Sequence, residues 1–183
     1  MIYPVFLYGS PVLRKVASDI PEGFPGLDEL IDSMFETMYH SEGLGLAAPQ
    51  IGMTLRIFVI DASPFAEDDP SLKDFRKVFI NPRILSYEGE IKKYNEGCLS
   101  IPDIREDVDR EEKILIRYCD RNFQYREEYF DGVVARIIQH EYDHLEGRLF
   151  TDLISPLKKR LLKRKLTSIS KGQVDVKYRV KNQ

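Results

Sequence analysis

The sequence predicts one domain that mixes helices with strands. Three observations carry this: apolar positions at helical spacing in two separate segments, a series of strand-like runs between them, and a length of 183 residues with no internal repeat or low-complexity linker in the first 150. Leu27, Leu30, Ile31, Met34, Phe35 and Met38 share one face of a helix over residues 25–40, which Gly43 ends. LRIFVID (55–61) reads as a buried strand, and VFINPRIL, EIKKYNEGCLSIP, EKILIRYCD and FQYREEYF as further strands set apart by turn residues. SPFAEDDPSLKD (63–74), polar and holding two prolines, reads as an exposed loop. A second helix runs from Gly132 to Leu145, with Asp131 placed to cap it and Gly147 to stop it. A third starts at the Ser155-Pro156 pair, a favoured N-cap and first position, and extends to Ser168. Residues 1–168 therefore read as one domain. In 169–183, Val174, Val176, Tyr178 and Val180 alternate strictly, as an edge strand or a frayed tail would.

Composition excludes several classes. A hydrophobic share of 43% and a charged share of 31% are ordinary for a globular protein. A net charge of −3 gives no whole-protein field for DNA or an anionic membrane, and no run approaches the length of a membrane span. MIYPVFLYGSPVLRK lacks a basic n-region and is broken by Pro4 and Gly9, so it does not read as a signal peptide. Two cysteines are too few for a disulfide framework, and the cytoplasm is the expected compartment.

The chemistry concentrates in the second helix. His140-Glu141-x-x-His144 stacks two imidazoles one turn apart on the face shared with Val134, Ile137, Ile138 and Leu145, with a carboxylate beside them. That is the pattern of a metal-holding helix. In one class of metalloprotease the string continues to a third His, but Phe150 stands at that position here. His40, the remaining histidine, ends the first helix and suits its C-terminus. No Glu follows Glu146; the acids further on are Asp152 and Asp175. Upstream, NEGCLS offers Cys98, whose thiolate is a strong ligand for first-row divalent metals. Cys119, in ILIRYCD, reads as a small buried hydrophobe. Spacing alone leaves both Cys98 and Asp152 open as third ligand. A third stretch, GLGLAAPQIG (43–52), follows the first helix; its glycines let backbone lie close to a ligand, and Gln50 carries an amide donor.

GLGLAAPQ (43–50), EGCLS (96–100) and QHEYDH (139–144), in this order and at these separations, resemble the signature motifs of the peptide deformylase family, and the likeness extends from about Tyr8 to about Asp152. The resemblance implies an α+β fold, with mixed and antiparallel sheets packed around a central HExxH-bearing helix and a C-terminal helix after it. It implies three metal ligands, Cys98, His140 and His144, with water in the fourth position, and Phe150 left to core packing. The implied reaction is hydrolysis of the N-formyl group from the initiator methionine of new polypeptides. Glu141 takes the proton of the water; Gln50 and the backbone N–H of Leu99 stabilise the oxyanion. Ile137 and Val133, one and two turns before His140, are expected in the wall of the methionine pocket. Arg136 is expected either there, with its charge reaching solvent, or in a surface ion pair. The backbone of Gly43, Leu44 and Gly45, and Gly97 with it, is expected to bind the substrate main chain as an added strand does. Fe2+ is the metal the resemblance puts first, with Zn2+, Ni2+ or Co2+ able to substitute.

LKKRLLKRKL (157–166) reads as an amphipathic helix with a solvated basic face; the resemblance implies the alternative that this face docks on ribosomal RNA. Two rivals follow from the residues: a zinc endopeptidase, which the lack of a downstream His or Glu opposes, and a non-catalytic metal or ribosome-binding module, which the intact Glu141, Gln50 and EGCLS oppose.

Overall fold

The computed structural model describes residues 1–183. In chain order the elements are β1 (Val5–Phe6), α1 (Leu27–His40), β2 (Gly45–Ala47), β3 (Ile57–Asp61), β4 (Arg76–Cys98), β5 (Ile101–Cys119), β6 (Tyr125–Asp131), α2 (Gly132–Leu145), α3 (Pro156–Ser170) and β7 (Val180–Lys181). Strands β2 to β6 form an antiparallel sheet in sequential order, and β1 pairs with β7 in a separate parallel ribbon. The fold is α+β, as expected.

Strand β3 explains the layering. All five of its residues are buried, so both faces of the sheet are covered there. Ile57 and Val59 pack toward α1, with Leu30, Ile31, Met34 and Met38. Phe58 and Ile60 pack on the opposite face with Val134, Ala135 and Ile138 of α2. The alternation of a pleated strand thus divides its apolar residues between two helices. A third cluster joins Leu7, Ile101, Phe150, Leu166 and Ile169, and seats α3 against the start of β5.

The three helices match their expected spans to within two residues. Asp131 does occupy the position before α2, but its side chain makes no capping hydrogen bond. Gly147 stops α2 at φ 70°, and a Cβ there would meet the Arg14 carbonyl oxygen at 2.6 Å, so both backbone and space require glycine. Loop 63–74 contains two short helical turns, and its Leu72 is buried rather than exposed.

The sheet differs most from expectation. VFINPRIL and EIKKYNEGC lie in one 23-residue strand, β4, rather than two. Pro82, inside the run VFINPRIL, and Gly89, which separates the two runs, fall at irregularities in the β4–β5 register, between Ile80 and Arg83 and between Glu88 and Ile91. Bulges absorb both residues while the ladder continues. Cys119 is half-buried rather than fully packed away, and His40 is exposed at the end of α1.

Candidate active site and metal centre

Four elements meet at a cleft of about 580 Å³. The end of α1 leads through Gly43 and Leu44 into β2, the terminal strand of the sheet; the β4–β5 turn brings Cys98 and Leu99; α2 supplies the floor. Every site residue expected from the sequence borders this cleft except His144, which lies fully buried beneath it.

The sulfur of Cys98 and ring nitrogens of His140 and His144 lie within 4.8 Å of one another, with Cys98 Sγ 3.4 Å from His144 Nε2. Ligands at tetrahedral corners around a first-row ion are about 3.6 Å apart, so the donor set fits a divalent metal in both chemistry and spacing. Asp152, the other candidate ligand, is turned away and pairs with Arg14 at 2.6 Å. Phe150 is buried and stacks on His140, ring centroids 6.0 Å apart; it packs, as expected. Burial, with His140 alongside, holds the His144 pKa well below the ordinary histidine value, which keeps its lone pair available.

The orientation of His140 comes from a residue that sequence reading missed. Glu96, in the EGCLS motif itself, holds His140 Nδ1 at 2.9 Å. With Nδ1–H donating to that carboxylate, Nε2 is left as the donor to a metal. Glu96 also accepts two hydrogen bonds from Arg110 (2.8 and 3.0 Å) and one from Arg136 (2.7 Å), and Arg110 reaches on to Asp143 at 2.8 Å. Burial opposes charge on Glu96, but His140 and Arg110 outweigh it and hold its carboxyl far below the usual range. Two guanidiniums thus face two carboxylates in a buried, charge-balanced network.

Arg136 belongs to this network, and neither expectation for it stands: its guanidinium does not reach solvent, nor is it a surface pair. The residue is 7% exposed, donates to the carbonyls of Val108 and Lys92 as well as to Glu96, and lies under the Tyr94 ring. It still borders the cleft, together with Val133 and Ile137.

Glu141 is 4% exposed, and its Oε2 has no hydrogen-bond partner in the protein. Burial pushes its carboxyl up to about 7, where a group can both take and return a proton near neutrality. Gly45 lies directly against it: a Cβ there would fall 2.6 Å from Glu141 Oε1. Gln50 is held by its own oxygen, which accepts from the Ala47 N–H at 3.0 Å. Its Nε2 thereby points at Ser100 Oγ (3.2 Å) and Cys98 Sγ (3.6 Å). One further residue borders the cleft from the far end of the chain: the Tyr178 hydroxyl donates to the Leu99 carbonyl at 2.8 Å.

An α+β domain that gathers a thiol and two imidazoles beside an unpartnered buried carboxylate, on the floor of an open cleft, defines a metal-centred hydrolase. The sequence profile of the polypeptide deformylase family matches residues 2–160. A peptide deformylase from Flavobacterium johnsoniae is 53% identical over 188 aligned residues, covering 99% of this chain and 96% of the relative. One from Cytophaga hutchinsonii is 54% identical, covering 99% and 97%. The crystal structure of peptide deformylase from Thermus thermophilus superposes with a TM-score of 0.83 at 36% identity, covering 94% of this chain and all of that one. The chain belongs to the peptide deformylase family, metal-dependent hydrolases that remove the N-formyl group from the N-terminal methionine of newly made polypeptides.

Proposed function

We propose that the reaction is carried out by Glu141, Gln50 and Leu99 around a divalent ion held by Cys98, His140 and His144. The observation that carries this is the buried, unpartnered Glu141 carboxylate beside that donor set. Such an ion supplies positive charge that acidifies water and polarises the formyl carbonyl. Glu141 accepts a proton from the attacking water and delivers it to the leaving amine. Gln50 Nε2, already aimed by Ala47, and the Leu99 N–H donate to the oxyanion of the tetrahedral intermediate. Val133 and Ile137 receive the methionine side chain, and the stem of Arg136 closes the pocket while Glu96 neutralises its head. Gly43, Leu44 and Gly45, at the end strand of the sheet, and Gly97 opposite them, bind the substrate main chain by strand addition. Substitution at Gly45 would press on Glu141; this close packing supports exclusion of acyl groups larger than formyl.

Fe2+ is the metal we favour, with Zn2+, Ni2+ and Co2+ as substitutes, since a mixed sulfur and imidazole set suits them all. The substrates are nascent formylmethionyl chains, and we place the reaction in the cytoplasm; no helix is long and apolar enough to cross a membrane. Residues 1–168 form the catalytic unit. On α3, Lys158 and Lys159 pair with Glu106 and Asp152, whereas Arg160, Lys163 and Arg164 are exposed and suit docking on ribosomal RNA. Ribosome binding that weakens steeply with salt and fails in a triple Glu variant of those three is expected; unchanged binding removes that reading.

The decisive experiment measures formate release from formyl-Met-Ala-Ser, anaerobically with Fe2+ supplied, beside Glu141→Ala. The variant is expected to lose about 10²–10⁴-fold in kcat/KM. Release that persists in Glu141→Ala would remove Glu141 from the mechanism.

A further inference from the structure

The last thirteen residues return to the active site. Parallel pairing of β7 with β1 (Arg179 O from Val5 N and Lys181 O from Leu7 N, both 2.8 Å) carries the tail along the N-terminal strand. Two residues past that strand, Tyr8 donates its N–H to the Ser100 carbonyl at 2.8 Å. From the tail itself, Tyr178 donates its hydroxyl to the Leu99 carbonyl at 2.8 Å. The two carbonyls of the Leu99–Ser100 turn are therefore each pinned from one end of the chain. Val174 and Val180 pack into the cluster that holds Leu7, Ile101 and Phe150, so the tail is anchored on both sides of Tyr178.

We propose that Tyr178 is a positioning residue for deformylation: by fixing the Leu99 carbonyl it sets the direction of the Leu99 N–H toward the oxyanion. The carbonyl and the N–H flank the same Cα, and Cys98 is paired with Ile101 across the turn. With the turn's ends held and the carbonyl fixed, the residue has little freedom left to swing its N–H away. Donors fixed in advance are what make an oxyanion site effective, because reorienting them during reaction costs free energy. This inference rests on the proposed role of the Leu99 N–H.

Tyr178→Phe removes the hydroxyl and keeps the ring. Losing one neutral hydrogen bond that holds a donor, rather than the donor itself, is expected to lower kcat about 3–10-fold, with KM within about twofold. Melting temperature should fall by no more than about 6 °C, metal content should stay at its wild-type value, and amide hydrogen exchange at Leu99 in the zinc-loaded protein should accelerate. A second variant truncated after Lys171, which lacks ring, hydroxyl and β7, should lose at least as much kcat; if either variant folds poorly, the other decides. Wild-type kcat in either folded variant overturns the inference. So does a higher KM at unchanged kcat, which would make Tyr178 a wall of the substrate groove. Glu141→Ala run in parallel separates the two levels: Glu141-dependent release with an unaffected Tyr178→Phe sinks only the positioning role, whereas release independent of Glu141 sinks the reading beneath it.

Discussion

Glu96 shows how much one side chain can organise. Its two oxygens bind His140, Arg110 and Arg136 at 2.7–3.0 Å, so it aims the His140 imidazole and pairs with two guanidiniums at once. Truncating it leaves both arginines buried with Asp143 as the remaining acid. Glu96→Ala is expected to cost about 3–5 kcal/mol of stability and about 10–100-fold in metal affinity, read by chemical denaturation and by competition with a chelator. Wild-type metal affinity in a folded Glu96→Ala would show that His140 needs no such orientation. The residue sits inside a motif legible in the sequence, yet its role was not. Arg110 and Arg136 reach it from β5 and α2, and nothing in the local pattern announces partners that far along the chain.

At the level of elements, α2 could be read in advance because its information is local: apolar spacing, the His-x-x-x-His stack and the glycine stop all lie within sixteen residues. The long β4–β5 hairpin could not, since Gly89 carries the same signature in a bulged strand as in a break. The turn after α2 is tied to residues 11–14 by Arg14, which bonds both oxygens of Asp152 (2.6 and 3.1 Å), while Asp152 also accepts from the Leu149 N–H. Burial disfavours the Asp152 carboxylate, but these partners prevail and lower its pKa. A folded-state pKa below the unfolded one gives stability that is complete above the unfolded value, near 4, and lost as pH falls through the folded value. The pair is partly exposed, so its contribution is at most about 1 kcal/mol. Melting curves of the protein and Asp152→Asn should therefore differ at pH 6 and converge once the pH falls below the lowered folded-state pKa; a gap that persists there would mean packing, not charge, separates them.

For the whole molecule, the candidate metal site joins elements distant in sequence: Cys98 ends β4, whereas His140 and His144 lie on α2. A metal that binds only the folded arrangement stabilises it by about 4 kcal/mol at a thousandfold excess over Kd. At about 2–4 °C per kcal/mol for a domain of this size, stripping the ion with a chelator should lower the melting temperature by roughly 10 °C. Restoring Zn2+ or Fe2+ should recover it. An unchanged melting temperature in chelator-treated protein verified to be free of metal would mean the three ligands contribute nothing to holding β4 on α2.

The sequence by itself determined the three helices, the apolar strand at their centre, the residue types at the candidate metal site and the family, because each is written in spacing over a few residues or in short motifs. Tertiary structure alone decided that Arg136 turns inward to Glu96, that Asp152 serves Arg14 rather than a metal, and that the tail brings Tyr178 back to Leu99. Those outcomes depend on which groups meet after the chain has closed. A buried charge must then find an opposite charge and a buried carbonyl a donor, wherever in the sequence they originate.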